Sequence, residues 1–173
     1  TKFIPAVAGF LLGKEIEYFE KLLQEPEHPF VAILGGAKVS DKITVIENLL
    51  DKVDAVLIGG GMAYTFLKAQ GHAIGKSKCE EEGIDVASML MKKAAEKKVT
   101  LKLPEDHVIA RAFDEQAESK TCNIDIEEGW MGLDIGPKTV ESFKKTLHSA
   151  KTVVWNGPLG VFEFKPFRTG SEK

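Results

Sequence analysis

Two short apolar runs, each followed by glycines and then by apolar residues at helical spacing, dominate the hydrophobic pattern of the chain. Phe30 to Leu34 and Asp54 to Ile58 have the length and composition of strands that are buried on both faces. The first run leads into a helical pattern whose inward positions are Ile43, Ile46, Leu50 and Val53. Strand, glycine turn and helix thus occur twice in succession, which is typical of βαβ units and predicts a parallel sheet.

The remaining pattern adds helices and strands that fit the same sheet. A helix from Met62 is predicted to stop at Gly71, because glycine readily adopts the left-handed conformation just past a helix end. Asp85 is a candidate N-cap of a helix that reaches Lys98, and Pro137 suits the first turn of another. Further strands are predicted over 99–103, 108–110, 121–124 and 152–155, with a polar loop over 113–120. We therefore predict an α/β fold, with a doubly wound, mainly parallel sheet in a Rossmann-like three-layer arrangement.

An amphipathic helix precedes these elements. Its apolar positions Ala8, Leu12, Ile16, Phe19 and Leu23 keep helical spacing, and prolines at 26 and 29 end it. Such a helix either packs on the sheet or connects two domains, and the pattern alone favours packing.

Three glycine-bearing loops follow predicted strands. They are Gly35-Gly36, the triple glycine 59–61, and Asn156-Gly157-Pro158. The carboxyl ends of parallel strands lie at one edge of a doubly wound sheet, and ligands bind in the crevice outside that edge. We therefore expect these loops to meet at a ligand site.

Two lysines mark the first of these loops. Lys38 and Lys42 are four residues apart, at the predicted start of a helix whose free N–H groups favour anions. Cations at this end oppose the helix dipole by some tenths of a kcal/mol, so another group should compensate for them. A phosphate chain would do so. The same residues also fit a solvated surface pair around Asp41, and this segment alone does not decide between the two interpretations.

Composition and charge narrow the class of protein. The chain has 173 residues, 43% of them hydrophobic and 28% charged, which is typical of one globular domain. Its net charge of −3 gives no field that favours nucleic acid, and no run approaches the roughly 18 apolar residues of a membrane span. The two cysteines form no metal-ligand pattern and predict reduced thiols in a cytoplasmic protein. Thr1-Lys2-Phe3 has neither an initiator Met nor a signal sequence, so we expect a piece of a longer chain.

Several common motifs are absent or incomplete. Gly71 to Ser77 has three residues between its glycines where a P-loop needs four, and no strand precedes it. Tyr64 stands where a dinucleotide-binding turn needs a small residue. The four histidines show no triad or metal spacing, no serine or cysteine lies in a nucleophile elbow, and Glu80 to Glu82 is interpreted as a solvated run.

Four motifs in order then carry a specific resemblance. They are Gly35-Gly36-Ala37-Lys38-Val39-Ser40-Asp41-Lys42, Gly59-Gly60-Gly61-Met62-Ala63-Tyr64, Gly129-Trp130-Met131-Gly132-Leu133-Asp134, and Val154-Trp155-Asn156-Gly157-Pro158 with Val161-Phe162-Glu163 behind it. Together they resemble the C-terminal, nucleotide-binding domain of phosphoglycerate kinase, over essentially the whole chain. Residues 1–25 then resemble the interdomain helix of that family, and residues 26–173 a partial nucleotide-binding domain, incomplete at its C-terminal side.

The resemblance implies roles for the matching residues. Lys42 would hold the nucleotide phosphates and the transferring group, with Lys38 beside that group and both acting in catalysis. The nucleotide ADP or ATP would be bound by Gly36, Ala37, Lys38, Lys42, Gly60, Gly61, Gly132, Leu133, Asn156, Gly157, Leu159, Phe162 and Glu163. Glycines 60 and 61, with residues 132 and 133, would line the base pocket, and Glu163 would bind the ribose hydroxyls. Asp41 is a weak candidate for contact with Mg²⁺.

The implied reaction is phosphoryl transfer between 1,3-bisphosphoglycerate and MgADP, which gives 3-phosphoglycerate and ATP in glycolysis. The family is usually monomeric. Its N-terminal domain, which binds the phosphoglycerate, and its magnesium-binding Asp motif have no counterpart in this sequence, so the chain alone is expected to be inactive. The alternative is a catalytically silent nucleotide-binding or interaction fragment. A Rossmann dehydrogenase is disfavoured by Tyr64.

Overall fold

The computed structural model describes residues 9–14, 17 and 25–173 of the chain. Residues 10–14 are helical, while most of the helix predicted before Pro26 lies outside the described residues. The proposed division of the chain at residue 25 therefore stays a prediction.

A four-stranded parallel sheet forms the centre of the protein. Its strands are β1 (Phe30–Leu34), β2 (Ala55–Ile58), β3 (Thr100–Lys102) and β7 (Thr152–Asn156), in the order β3-β2-β1-β7. In register, Ile33 of β1 lies between Leu57 and Trp155. Every residue of β1 and β2 is buried, as their continuous apolar runs predict.

A second, antiparallel sheet lies beside the first. Its strands are β4 (Asp106–Ala110), β5 (Ser119–Asn123) and β6 (Met131–Ile135), in the order β5-β4-β6. The sequence pattern predicted no separate sheet and missed β6. Met131, Leu133 and Ile135 alternate with Gly132 and Asp134, which is a strand periodicity, but the run is only five residues long and contains no continuous apolar stretch. The intervening Gly132 and Asp134 are themselves buried, so the strand is covered on both faces.

Besides the helical residues 10–14, the described part of the chain contains α1 (Ile43–Leu49), α2 (Met62–Ala69), α3 (Ile84–Glu96), α4 (Pro137–His148) and the short α5 (Thr169–Glu172). Single 3-10 turns lie at Ser40–Lys42, Glu81–Gly83 and Lys165–Phe167. Gly71 has φ +90° just past α2, which confirms the predicted helix stop. The Asp85 N-cap is wrong, because α3 begins one residue earlier, with Gly83 as its N-cap, and no side chain caps it.

The two faces of the parallel sheet carry separate cores. On one face, Ile46 of α1, Phe66 of α2 and Leu90 of α3 pack against Ala32 and Val56. On the other face, Phe143 of α4 packs against β1 and β2, in a cluster of Val31, Ile33, Ala55, Leu57 and Leu159. Helices on both faces of a parallel sheet confirm the α/β, doubly wound class.

Candidate functional site

The three glycine-bearing loops meet at the carboxyl edge of the parallel sheet. The amide of Gly35 donates to the carbonyl oxygen of Asn156 at 2.9 Å, and the amide of Gly60 donates to that of Leu159 at 2.9 Å. The amide of Met62 donates to the carbonyl oxygen of Gly36 at 2.9 Å. The predicted convergence of the loops is therefore confirmed.

Close backbone approach explains the glycines at this edge. A Cβ on Gly35 would overlap the carbonyl of Pro158, so no side chain fits there. Gly60 has φ +65°, and a Cβ on it would lie 2.7 Å from the amide nitrogen of Gly36. Glycine alone meets both requirements, since it has no Cβ and tolerates positive φ.

A cavity of about 470 Å³ opens beside these loops. Its volume lies within the range of small-molecule sites. The predicted site residues that line it are Gly36, Ala37, Gly60, Gly61, Gly132, Leu133, Leu159, Phe162 and Glu163. These residues come from four separate segments of the chain, and the fold brings them to one place.

The other predicted site residues lie next to this cavity and not in its wall. The Lys42 ammonium donates to the side-chain oxygen of Asn156, across the loops that follow β1 and β7. Gly157 lines a neighbouring groove that shares Phe162 with the cavity, and Lys38 lines a third depression that shares Ala37 with it. These shared walls make the lysine turn, residues 36–42, continuous with the cavity.

The lysine turn differs from the predicted helix N-terminus. Residues 40–42 form a 3-10 turn, and α1 follows with seven residues. The amide of Ser40 is not free, because it donates to the Glu80 carboxylate at 3.0 Å, as does the Ser40 hydroxyl. Hydrogen bonds from the Ser40 side chain and backbone hold the pKa of Glu80 below its usual value, with a smaller contribution from nearby Lys38. Glu80 thus lies in a largely exposed run, as interpreted from sequence, but its carboxylate has a specific partner that the sequence does not reveal.

Sequence reasoning missed several residues of the cavity wall. They are Tyr64, Lys76, Lys78, Phe113, Met131, Pro158, Gly160 and Val161. Lys76 belongs to the segment that fails as a P-loop, and its amide donates to the Trp130 carbonyl at 2.7 Å, which brings it to the cavity. The Ser77 hydroxyl accepts from the Gly132 amide of β6 at 2.9 Å, and an isolated β-bridge pairs Ile74 with Ile126. No local sequence pattern signals these contacts.

Tyr64 and Gly132 fit each other at the back of the cavity. Tyr64 is 4% exposed, and a Cβ on Gly132 would overlap its phenol ring. Burial raises the pKa of Tyr64, and the charge of Asp134 adds to the effect, so the phenol stays neutral in the folded protein. The large Tyr64 side chain, which argues against a dinucleotide-binding turn, therefore fits here because the facing residue on β6 is a glycine.

Asp134 connects β6, which lines the cavity, to α5 near the C-terminal end of the described residues. Its buried carboxylate accepts hydrogen bonds from the amides of Ile135 at 2.9 Å and Gly170 at 2.8 Å. Burial raises its pKa to about 6, and these hydrogen bonds oppose the rise. Beside it, the Val161 amide donates to the Leu133 carbonyl at 2.8 Å, which holds the loop after β7 over β6.

His107 is a buried imidazole on β4. It is fully buried, packs on Tyr64 with ring centroids 5.3 Å apart, and neither ring nitrogen has a hydrogen-bond partner of normal geometry among the described residues. Burial lowers its pKa to about 4, although the Ile124 backbone and Asp106 favour the protonated form.

Replacing His107 with leucine should remove a pH-dependent loss of stability. Between pH 6.5 and 4 the unfolded chain binds a proton at His107 that the native chain does not, so acidification lowers the free energy of unfolding. For a pKa that falls from 6.5 to about 4, the loss is roughly 3 kcal/mol at about 1.4 kcal/mol per pH unit. We therefore expect the stability difference between His107→Leu and the unsubstituted chain to grow by about that amount from pH 7 to pH 4.

Urea unfolding at a series of pH values measures this difference. Asp134 acts in the opposite direction, because its raised pKa makes the native state bind a proton first, between about pH 6 and 4. The contribution of Asp134 cancels in the stability difference between the two proteins, since both retain this residue. A difference independent of pH would show that His107 protonates in the folded chain as readily as in the unfolded one.

The described residues contain no group of three or more His, Cys, Asp or Glu side chains that could hold a metal ion. Asp41, the candidate from sequence, lies exposed in the 3-10 turn. Among the same residues, no helix is long and apolar enough to cross a membrane.

The fold and the cleft together define an α/β protein with a cavity beyond the carboxyl ends of a parallel sheet, where proteins of this class bind ligands. A model of the phosphoglycerate kinase family matches residues 1–173. The chain therefore belongs to the phosphoglycerate kinase family.

Individual relatives agree with this assignment. The chain is 54% identical to phosphoglycerate kinase of Pseudothermotoga lettingae over 99% of its own length and 44% of the relative, and 59% identical to that of Lactobacillus delbrueckii subsp. lactis over 96% and 41%. The structure of phosphoglycerate kinase from Coxiella burnetii superposes with a TM-score of 0.90 and 49% identity, over 94% of this chain and 42% of that one. The chain thus spans less than half the length of these relatives.

Proposed function

We propose that this chain is the nucleotide-binding part of a phosphoglycerate kinase and corresponds to its C-terminal domain. The observation that carries the proposal is the continuity of the glycine-walled cavity with the lysine turn. An apolar cavity of this size suits a nucleoside, and the adjoining lysines suit its phosphates. ADP or ATP would lie with its base near Gly132 and Leu133 and its phosphates toward Lys38 and Lys42.

Free backbone amides support this orientation. Within the described part of the chain, the amides of Ala37 and Lys38 donate to no other group, and both residues are exposed. Together with the two ammonium groups, they offer donors to phosphate oxygens at one end of the cavity. At the other end, Glu163 offers a carboxylate that can accept hydrogen bonds from the ribose hydroxyls.

The chemistry expected of these residues is positioning and charge neutralisation. Phosphoryl transfer requires little covalent participation by the protein, because its barrier falls mainly when donors stabilise the charge on the transferred group. Lys42, which Asn156 orients, and Lys38 would supply that charge. Magnesium would neutralise phosphate oxygens when bound. Asp41 is the candidate protein ligand, and the described residues hold no cluster of three or more His, Cys, Asp or Glu, so most of its ligands would be phosphate and water.

The complete reaction would be transfer between 1,3-bisphosphoglycerate and MgADP, giving 3-phosphoglycerate and MgATP. The phosphoglycerate would need residues from the part of the relatives that this chain does not cover. A second candidate is a silent nucleotide-binding or interaction fragment. The edge strand β7 favours it, because Val153 and Trp155 are 43% and 49% exposed there.

Replacing Lys42 with alanine should weaken ADP binding about tenfold or more and leave adenosine binding almost unchanged. The variant loses a charge-assisted hydrogen bond to phosphate, worth about 1.5–3 kcal/mol. Adenosine has no phosphate, so its complex never contains this bond. Isothermal titration with both ligands measures the two changes. In the complete enzyme the same substitution should also lower kcat, because the charge acts where phosphoryl transfer develops.

Lys68→Ala is the matched control, since Lys68 is an exposed lysine in the last turn of α2. It should leave both affinities unchanged. Equal losses for ADP and adenosine in Lys42→Ala would mean that Lys42 supports the fold and not the phosphates. Absence of ADP binding by the unsubstituted chain would favour the interaction fragment.

A further inference from the structure

Glu80 connects the lysine turn to the body of the fold. Its carboxylate accepts two hydrogen bonds from Ser40, one from the amide at 3.0 Å and one from the hydroxyl. The two residues are 40 positions apart, so this is a tertiary contact and not a local cap. Val39, the N-cap residue of the 3-10 turn, is apolar and provides no side-chain cap. Glu80 therefore supplies the acceptor that the local sequence lacks.

Glu80 is itself firmly anchored. Its amide donates to the hydroxyl of Thr65 at 3.1 Å, and Thr65 is completely buried in α2. Its carbonyl accepts from the amide of Gly83 at 2.9 Å. A Cβ on Gly83 would lie 3.0 Å from the Glu80 carboxylate, so glycine leaves the room that this side-chain position needs. The carboxylate is thus presented to Ser40 from a rigid support.

The lysine turn has few other ties. Val39 is buried, but Ala37, Lys38, Ser40 and Asp41 are exposed. The turn is held at its two ends, where Gly36 accepts from the Met62 amide and the Lys42 ammonium donates to Asn156. Between those ends, the hydrogen bonds to another segment are those to the Glu80 carboxylate, from the Ser40 amide and hydroxyl and from the Val39 amide. Loss of the Glu80 contact should therefore leave the two lysines less ordered.

We propose that Glu80 is a positioning residue for the lysine turn, which it pre-orders through Ser40 so that Lys38 and Lys42 face a nucleotide phosphate chain. This inference rests on the proposed nucleotide function. A pre-ordered turn binds phosphate more tightly because less conformational freedom is lost on binding. The role is specific to one carboxylate of the run 80–82, because the side chains of Glu81 and Glu82 make no hydrogen bond or ion pair with any described residue, whereas that of Glu80 bonds to Ser40.

The test compares Glu80→Ala with Glu82→Ala, which removes the same charge two residues away. We expect Glu80→Ala to weaken ADP binding about threefold to tenfold, the worth of one or two lost hydrogen bonds, and to leave adenosine binding unchanged. Glu82→Ala should leave both unchanged. Glu80→Gln, which can still accept from the Ser40 amide, should retain most of the ADP affinity.

Amide NMR of the same variants gives a readout that does not depend on nucleotide. The Ser40 amide should exchange faster with solvent in Glu80→Ala and remain protected in Glu80→Gln and Glu82→Ala. Equal ADP affinity in Glu80→Ala and Glu82→Ala, or tighter ADP binding by Glu80→Ala, would overturn the inference while the nucleotide function stood. Failure of the unsubstituted chain to bind ADP would instead overturn the proposed function, and this inference with it.

Discussion

Replacing Asp106 with alanine should lower the free energy of unfolding by about 3 kcal/mol or more. Asp106 is 1% exposed on β4, and its carboxylate caps the N-terminus of α4. It accepts hydrogen bonds from the amides of Lys138 at 2.9 Å and Thr139 at 2.8 Å, and from the Thr139 hydroxyl at 2.7 Å. The variant leaves the buried amide and hydroxyl of Thr139 without this acceptor, and each unsatisfied buried donor costs about 1–3 kcal/mol. Chemical denaturation measures the change.

Asp85→Ala is the matched control for this effect. The sequence pattern made Asp85 the candidate helix cap, but it is exposed within the first turn of α3 and caps nothing. Its replacement should change stability by less than about 1 kcal/mol, through the helix dipole alone. Similar losses in Asp85→Ala and Asp106→Ala would contradict the assignment of the tertiary cap to Asp106.

Replacing Gly132 with alanine should destabilise the fold by about 1–3 kcal/mol or more and deform the cavity. The new methyl group would lie 2.6 Å from Cε1 of Tyr64, and closer still to its hydroxyl. Tyr64 cannot withdraw easily, because it is buried and packs on His107. Overpacking of a dense core has a cost of this size, since neighbours are forced off their preferred rotamers. Thermal unfolding and ADP titration of the variant should both register the change.

A double substitution isolates this clash. In a Tyr64→Leu background, Gly132→Ala should have a much smaller effect, with a coupling of about 1–3 kcal/mol between the two sites. Gly13→Ala serves as the control glycine, because a Cβ there would meet no atom of the described residues within 4 Å. Additive losses for Tyr64→Leu and Gly132→Ala would show that the methyl group does not conflict with the ring.

The sheet could be predicted because its information is local. The continuous apolar runs of β1 and β2 and the glycines behind them suffice to place strands, turns and the shared edge, and parallel strands oblige those edges to coincide. The second sheet could not be predicted in this way. Its strand β6 contains the buried Asp134, whose carboxylate is satisfied by Gly170, 36 positions away. Apolar residues alternate with Gly132 and Asp134 in this strand, but no local feature shows that both of its faces are buried or which strand it pairs with.

The residues of the candidate site also form two groups, those that the sequence identifies and those that it does not. Glycines and apolar residues of the cavity lie in motifs that the resemblance identifies, and the fold brings them together. Lys76, Lys78 and Phe113 enter the wall from loops whose course depends on contacts with other segments. Glu80 is the clearest case of a residue whose role the local sequence does not reveal, since its partner Ser40 lies 40 positions away. The run of three glutamates around it has no periodicity that distinguishes one carboxylate from the next.

Amide chemical-shift mapping with ADP tests the central claim, that this cavity and the lysine turn together bind a nucleotide. We expect the largest shifts at residues 36–38, 60–61, 132–133 and 159–163, with the shifts at 36–38 absent when adenosine replaces ADP. Residues of α3 should be unaffected, because α3 packs on the sheet and lines no part of the cavity. Shifts confined to segments outside the cavity, or shifts at 36–38 that are equal for ADP and adenosine, would contradict the account.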